Sequence, residues 1–307
     1  MKTGSLRVGF IGAGKAGTSF GKYVAARIAE QNQPDMSESV ESPRISLTGY
    51  FSNNPDSATF AAGLTGSAAF TSNARLAEAS DVVFFSVPDG KIRTAFDELT
   101  DKSREAGIDL SGKMFAHLSG SLSSEVFATA RRAFSLHPAR ALPDREESWR
   151  LLRETCFVFE GPNEARERIE PLLRLLGNQT GTIEPGQKTL YHAACVFLSN
   201  FSVALAAEGT DLLARCGLDP EIASKLLQTL FLGNAENVAK RGPTAALTGP
   251  AERGDADTLR EHIDALSELG DESLTDVYRG LTRILLRVAS EKHPGQDFAD
   301  SLTAIDI

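Results

Sequence analysis

The amino-acid sequence predicts a doubly wound α/β sheet followed by an all-helical domain. Short apolar runs, typical of buried parallel strands, alternate with helical periodicity as far as Glu184. Beyond that point the pattern is helical only, and glycine and proline punctuate it to the end of the chain. The 307 residues are enough for two hydrophobic cores. We therefore expect two domains, residues 1–184 and residues 185–307.

The first domain should contain eight strands, most of them separated by helices. The strands are predicted at 6–11, 44–51, 67–70, 81–87, 113–118, 133–136, 156–160 and 179–184. Helices are predicted at 15–30, 73–79, 91–105, 123–132 and 163–176, and residues 53–56 form a turn that can also start a helix. The polar, proline-containing segment 31–43 reads as a loop, and the second domain should have long helices at 187–215, 220–240 and from 255 onwards.

Composition and charge narrow the class of protein. The net charge of −9 disfavours nucleic acid and anionic membrane surfaces as partners. The cysteines Cys156, Cys195 and Cys216 have neither metal-ligand nor disulfide spacing, so we expect reduced, mostly buried thiols and no metal site. The most apolar helical stretch, 193–207, is shorter than a bilayer requires and contains Asn200, so it should be a core helix. These features predict a soluble, cytoplasmic protein.

A glycine motif follows the first predicted strand directly and opens the first helix. In this context Gly12 makes a tight turn, Gly14 lets the backbone approach a pyrophosphate, and Gly17 lets the helix pack closely. The helix N-terminus offers unpaired N–H groups to the phosphates. The motif predicts dinucleotide binding by Gly12, Ala13, Gly14, Lys15, Ala16 and Gly17. A structural glycine turn and an S-adenosylmethionine site are the alternatives.

The end of the second predicted strand bears on the choice of dinucleotide. A carboxylate there binds the ribose 2′-hydroxyl of NAD and repels the 2′-phosphate of NADP. This chain has Ser52, Asn53 and Asn54 at that point, with the first acid at Asp56. The polar side chains favour NADP over NAD. The alternative is that they cap the next helix.

Three further loops should lie at the carboxyl edge of the sheet, where ligands bind in open α/β folds. Val87, Pro88 and Asp89 end the fourth strand and either line the cofactor path or start the next helix. Ser119 and His137 follow the fifth and sixth strands and should face the nicotinamide end of the cofactor. The alternatives are a helix cap for Ser119 and a structural turn for His137.

The second domain supplies candidates for catalysis and substrate binding. Lys188 and His192 are one helical turn apart, and Asn200 lies two turns beyond His192. His192 and Asn200 interrupt an apolar helix, so they should bind a ligand or pair with backbone. Arg253, in a turn rich in glycine and proline, could hold a substrate carboxylate or instead pair locally with Asp255.

Together these motifs carry a family resemblance over nearly the whole chain. The glycine motif and the segments DVVFFSVPD, HLSGSLSS, SLHPARAL, YHAACVFLSN and LTGPAERGD resemble Rossmann-like proteins with a C-terminal domain of unknown function, family 2520. That layout is similar to the 6-phosphogluconate-dehydrogenase-like group, which includes ketopantoate and pyrroline-5-carboxylate reductases. The β-hydroxyacid members of the group carry a lysine followed one turn later by asparagine, whereas Lys188 is followed at that offset by His192.

The residues and the resemblance lead to one hypothesis and three alternatives. We expect NADPH to reduce a small, anionic 2-oxo acid, ketopantoate-like, with Lys188 or His192 donating the proton and Asn200 orienting the carbonyl. Ser119 and Arg253 are candidate anchors for the carboxylate, and His137 is a candidate substrate ligand. The alternatives are an imine reductase of the pyrroline-5-carboxylate type, a non-catalytic NADP-binding sensor or scaffold, and a reductase that uses a reduced deazaflavin.

A homodimer is also expected. The long apolar helix that begins near Gln187 exceeds what one small helical domain covers. The resemblance implies the same, since related proteins form helix-exchanging dimers.

Overall fold

An eight-stranded sheet organises the first part of the chain. The structure is a computed structural model that describes residues 5–32, 44–128 and 130–306. The strands are β1 (Leu6–Ile11), β2 (Ile45–Phe51), β3 (Ala68–Phe70), β4 (Val82–Phe85), β5 (Met114–His117), β6 (Ala133–Pro138), β7 (Phe157–Glu160) and β8 (Thr180–Ile183). Their order is β3-β2-β1-β4-β5-β6-β7-β8, with every pair parallel except β6 and β7. The predicted doubly wound fold is confirmed.

Helices accompany the strands and make up the rest of the chain. The sheet carries α1 (Lys15–Gln31), α2 (Pro55–Thr65), α3 (Asn73–Ala79), α4 (Asp89–Glu105) and α5 (Asn163–Leu176). After β8 come α6 (Lys188–Leu198), α7 (Asn200–Arg215), α8 (Pro220–Leu227), α9 (Gly233–Arg241), α10 (Pro243–Ala246), α11 (Pro250–Arg253), α12 (Ala256–Ser267), α13 (Glu272–Lys292) and α14 (Ala299–Asp306). The predicted segment 31–43 lies mostly outside the described residues.

Three of the predicted helices differ from the structure. The helix predicted at 220–240 contains a π-helical segment, Gln228–Leu232, between α8 and α9. In place of a helix at 123–132 there is a short 3₁₀ helix, Ser124–Phe127, with Ser123 as its N-cap. The predicted helix 187–215 is broken at Ser199, whose φ of −122° and ψ of −71° are not helical. Serine and asparagine hydrogen-bond to nearby backbone and so favour helix ends over helix interiors, which accounts for a break at Ser199 and Asn200.

Aromatic side chains fill both faces of the sheet. Successive strand residues point to opposite faces, so Phe84 lies in one core and Phe85 in the other. Phe84 stacks on Phe10 at 5.6 Å between ring centroids and meets Phe134 edge-on at 5.8 Å. α1, α2 and α5 pack on the first face, while α3 and α4 pack on the second. Helices on both faces leave the carboxyl ends of the parallel strands as the natural place for a ligand.

The chain divides into two compact units. The first unit ends at Asn200 and the second begins at Phe201. Lys188 and His192, which the sequence assigns to a C-terminal domain starting at 185, therefore group with the sheet. The second unit has its own core, formed by Ala251, Leu259, Ile263, Leu286, Ala289, Phe298 and Ile305.

Two expectations about burial are wrong. The stretch 193–207 is not a core helix of the single chain, since Val203 is 71% exposed and Leu205 is 47% exposed. By length and composition alone, Pro185–Arg215 would also suffice to cross a membrane, with a mean hydropathy of 1.5 over its most apolar 18 residues. All three cysteines are free as expected, but Cys156 and Cys216 are exposed rather than buried. Apolar periodicity identifies a face, but it does not show what covers that face.

Candidate active site

The three glycines of the loop between β1 and α1, Gly12, Gly14 and Gly17, have different structural roles. Gly12 has a φ of +106°, and a Cβ there would lie 2.7 Å from the carbonyl carbon of Ser86. A Cβ on Gly17 would lie 2.0 Å from Ser86 Oγ, so this glycine brings α1 against the end of β4. A Cβ on Gly14 would have only one neighbour within 4 Å, the carbonyl oxygen of Ser86 at 3.9 Å. The open side at Gly14 leaves room for a ligand to approach the backbone.

The start of α1 suits an anion. Gly14 is the N-cap and has no side chain to cap the helix, and no acid occupies the first turn. The first N–H groups therefore remain for a ligand, beside the positive end of the helix dipole. Ala13 is buried under this turn, while Lys15 is exposed and Ala16 is half-buried. These residues fit the pyrophosphate of a dinucleotide.

The tip of β2 carries no carboxylate. Asn54 accepts a hydrogen bond from the Asp56 backbone N–H at 3.0 Å and caps α2, as the alternative interpretation predicted. Ser52 Oγ accepts from the Asn54 backbone N–H at 3.3 Å, which leaves its own proton for another partner. Asn53 is exposed. Polar donors at this position, without an acid, are compatible with a 2′-phosphate.

Asp89 joins the end of β4 to the loop after β5. Its carboxylate accepts hydrogen bonds from Ser119 Oγ at 2.6 Å and from Ser121 Oγ at 2.9 Å. Pro88 is the N-cap of α4 and Val87 packs into the core, so the helix-start interpretation holds for this turn. Ser119 also accepts from two backbone N–H groups of its own loop. It thus holds the loop around Gly120 in place rather than capping the helix after it.

Lys188 is a buried amine next to β6. Its residue is only 2% exposed, and Nζ donates a hydrogen bond to Ser135 Oγ. Burial lowers the pKa of Lys188 to about 8, although the carboxylates of Glu160 and Asp89 oppose this shift. A pKa near 8 is suited to an amine that gives up its proton close to neutral pH.

Glu160 is a fully buried carboxylate at the end of β7. It accepts from the backbone N–H of Ser124 at 2.9 Å and from Ser124 Oγ at 2.8 Å. These bonds satisfy the start of the 3₁₀ helix and fix the end of the loop that follows β5. Its negative charge also favours the protonated form of Lys188.

Two histidines lie close to the backbone of Gly120. A Cβ on Gly120 would lie 2.8 Å from His137 Nε2 and 3.0 Å from His192 Nδ1, so only glycine leaves both rings in place. Burial lowers the pKa of His137 to about 4, and its Nδ1 is 2.6 Å from the hydroxyl of Tyr191. His137 is therefore neutral at physiological pH. The candidate site thus combines an amine and two imidazoles at one edge of the sheet.

A third histidine lies deeper. His117 is fully buried at the end of β5, and its Nδ1 accepts from the Ser119 backbone N–H at 3.2 Å. Burial lowers its pKa to about 4, so it too is neutral. It supports the loop that carries Gly120.

Not all of the predicted residues come together. His137 and His192 pack against Gly120, and Lys188 is linked through Ser135 to the carbonyl of the neighbouring Ser119. Asn200 is exposed at the start of α7, and the break at Ser199 removes the helical relation to His192 on which its prediction rested.

Arg253 belongs to the second unit. Its guanidinium is 3.7 Å from Asp255, which in turn caps α12 by accepting from Thr258 N–H. The local ion pair that the sequence offered as an alternative is therefore present. The side chain of Arg253 is nevertheless 60% exposed, so the pair leaves it accessible.

Four residues of the candidate site, Gly120, Ser135, Glu160 and Tyr191, were not predicted from the sequence. Ser135, Glu160 and Tyr191 are polar groups within apolar segments, a signal that could have found them. Gly120 has a negative φ and gives no such signal. Its role comes only from the two rings packed against it.

Comparisons with known proteins agree with this fold. Residues 7–111 match the family described as NADP oxidoreductase coenzyme F420-dependent, and residues 155–284 match the domain of unknown function DUF2520. A solved protein from Thermotoga maritima is 26% identical, with a TM-score of 0.70 over 93% of this chain and 99% of its own. No curated protein matches the chain.

Two solved enzymes share the fold at lower identity. An imine reductase from a Pseudomonas species is 16% identical, with a TM-score of 0.58 over 93% of this chain and 98% of its own. A pyrroline carboxylate reductase from Plasmodium falciparum, solved with NADP bound, is 15% identical, with a TM-score of 0.51 over 96% of this chain and 98% of its own.

Proposed function

We propose that this chain, an NAD(P)-dependent oxidoreductase, reduces a small 2-oxo acid of the ketopantoate type. Its Rossmann domain is followed by a DUF2520 domain. The observation that carries this proposal is the buried amine of Lys188, with its pKa lowered to about 8, at the carboxyl edge of the sheet. A carbonyl needs a proton donor when it is reduced, and a lysine with this pKa can serve as one near neutral pH.

In the proposed reaction the β1–α1 loop holds the hydride donor, and Lys188 or His192 donates the proton. NADPH, when bound at the β1–α1 loop, supplies the hydride. Lys188 holds the proton at Nζ, and Ser135 Oγ fixes the position of that amine. His192, whose Nδ1 faces the same glycine as His137, is the second candidate donor. Either group would neutralise the negative charge that develops on the substrate oxygen.

The substrate carboxylate requires its own partners. Ser119 donates its hydroxyl proton to Asp89, so it contributes by holding the loop rather than by a free hydroxyl. Arg253 stays the proposed carboxylate anchor, because a guanidinium can bind a carboxylate through two hydrogen bonds. Asn200 stays a proposed contact to the carbonyl.

Imine reduction of the pyrroline-5-carboxylate type is the second candidate function. Imine and pyrroline carboxylate reductases share this fold, although at their identity the likeness concerns the fold alone. A protonated imine brings its own proton, so the amine of Lys188 would matter little. The structure of the site favours the carbonyl substrate for that reason.

Turnover assays separate these functions. We would follow loss of NADPH absorbance with ketopantoate, pyrroline-5-carboxylate and a panel of short 2-oxo acids. Lys188→Met should lose about a hundredfold or more in kcat with a 2-oxo acid, while Lys240→Met, on the exposed face of α9, serves as the charge-matched control. Binding of NADPH with no turnover of any substrate would favour the NADP-binding sensor. Turnover with a reduced deazaflavin alone would favour the deazaflavin-dependent reductase; the family that residues 7–111 match is described as coenzyme F420-dependent.

We propose NADP rather than NAD as the cofactor. Support comes from the tip of β2, where Ser52 and Asn53 offer polar groups and no carboxylate precedes Asp56. Parallel titrations of the protein with NADPH and NADH test this directly. Equal affinities would overturn the preference.

We further propose a cytoplasmic homodimer. The apolar residues of α7, such as Val203 and Leu205, are exposed in the single chain and would be covered by a second copy. The three free cysteines suit a reducing compartment. Light scattering at micromolar concentration should give the dimer mass, and Val203→Asp should shift it towards the monomer. A monomer mass for the unaltered protein would overturn the dimer.

A further inference from the structure

The two nitrogens of His137 have different surroundings. Nδ1 is 2.6 Å from the Tyr191 hydroxyl, and the two rings meet edge-on at 5.7 Å with an interplanar angle of 79°. Nε2 points to the other side, over Gly120. The ring is thus held at one nitrogen, and its other nitrogen packs against the backbone of Gly120.

Simple chemistry indicates where the proton of this ring lies. Burial keeps the pKa of His137 low, so the neutral ring carries a single proton. Burial also raises the pKa of Tyr191, so the phenol keeps its proton. The Tyr191 hydroxyl also meets the thiol of Cys195, but sulfur is a weak hydrogen-bond acceptor. The unprotonated nitrogen of imidazole is a better acceptor than either sulfur or a phenol oxygen, so Tyr191 should donate to Nδ1. The ring proton then resides on Nε2, above Gly120.

A second nitrogen faces the same point. His192 Nδ1 is buried and has no hydrogen-bond partner within the described part of the chain. It would lie 3.0 Å from a Cβ on Gly120, close to the 2.8 Å found for His137 Nε2. A buried polar atom without a partner is costly unless a ligand satisfies it. A ligand oxygen that approaches Gly120 would supply the partner that His192 Nδ1 lacks.

We propose that His137 is a catalytic residue that donates a hydrogen bond from Nε2 to a substrate oxygen above Gly120, and that Tyr191 is the positioning residue that fixes this tautomer. The kinetic part rests on the proposed reductase function, whereas the tautomer does not. A neutral imidazole donor stabilises negative charge on the oxygen without giving up its own proton. Lys188 then remains the source of the transferred proton.

Nitrogen NMR of the full-length protein tests the tautomer without any substrate. With ¹⁵N-labelled histidine and NADPH present, His137 should show a protonated Nε2 and a hydrogen-bonded, unprotonated Nδ1. His137→Gln assigns the signals, and Tyr191→Phe should convert them to a mixture of tautomers. Tyr278→Phe is the matched control, because its hydroxyl is 2.7 Å from Nδ1 of His262 in the second unit. A proton on Nδ1 of His137 in the unaltered protein would overturn the proposal, even if Tyr191→Phe does not fold.

Kinetics with the substrate found by turnover assays test the catalytic role. His137→Leu should lower kcat by about a hundredfold, and His137→Gln, which keeps a donor group, should recover part of that loss. Tyr191→Phe should lower kcat by about tenfold with less than about a threefold change in KM. Equal activity of the Leu and Gln variants, or a Tyr191→Phe effect confined to KM, would contradict donation from Nε2. Absence of any turnover in the unaltered protein would instead count against the proposed function and leave the NMR test to decide the tautomer.

Discussion

Replacing Lys188 by Met should stabilise the fold and at the same time lower kcat by about a hundredfold or more. The structure holds this lysine at 2% exposure, and burial lowers its pKa from the usual 10.5 to about 8. That shift means that the protonated amine destabilises the folded state by about 3 kcal/mol at neutral pH. Methionine has a similar shape and no charge, but it loses the hydrogen bond to Ser135, worth about 1 kcal/mol. We therefore expect a net gain of about 2 kcal/mol in the free energy of unfolding at pH 7.

The gain should depend on pH with a definite sign. The folded pKa of Lys188 lies below the unfolded value, so the unfolded chain binds more protons between pH 8 and pH 10.5. The unaltered protein should therefore gain stability relative to Lys188→Met as the pH rises through this window. Below pH 8 the full destabilisation caused by burying the protonated amine of Lys188 is present. The same pKa predicts that kcat/KM of the unaltered protein falls above about pH 8.

Urea unfolding measures this effect in the unit that contains Lys188. Trp149 is the only tryptophan in the chain and packs against the core of the first unit, so its fluorescence follows that unit. Transitions of the unaltered protein, Lys188→Met and Lys240→Met would be compared at pH 7 and pH 9.5. A Lys188→Met variant that is less stable at pH 7, or a stability difference that does not change with pH, would refute the reasoning.

Three other substitutions have distinct expected outcomes. Gly120→Ala places a methyl group within 3.0 Å of both His137 and His192, so kcat should fall by about tenfold to a hundredfold while titrations show the NADPH affinity nearly unchanged. Asn53→Asp places a negative charge at the β2 tip, so NADPH should bind about tenfold more weakly while the affinity for NADH stays the same. Equal weakening of both nucleotides in titrations would contradict the NADP assignment. Phe84→Ala removes a fully buried ring that contacts three others, so urea titration should show a loss of about 3–5 kcal/mol, and a loss under about 1 kcal/mol would contradict the packing described.

Local patterns in the sequence were sufficient for the elements of the sheet. The bounds predicted for β1 and α5 are those of the structure, because a buried parallel strand and an amphipathic helix each have a periodicity of their own. The turn at Gly12 was likewise predictable, since its positive φ is a property of the motif itself.

Elements that depend on distant contacts could not be predicted in the same way. The start of the 3₁₀ helix at Ser124 is fixed by the carboxylate of Glu160, which is 36 residues away. Asp89 holds Ser119, 30 residues further along the chain, and so Ser119 does not cap a helix. Each of these bonds forms only because neighbouring strands bring the ends of their loops together.

The sequence by itself determined the fold class, the dinucleotide loop and the types of residue available for catalysis. Only the tertiary structure decided which of those residues meet. His137 and Tyr191 are 54 residues apart, and Lys188 and Ser135 are 53 apart, yet each pair forms a hydrogen bond. Sequence periodicity reports how a segment divides its own faces between core and solvent. The partners, and with them the pKa of Lys188, depend on how β6 and α6 pack, which no local pattern encodes.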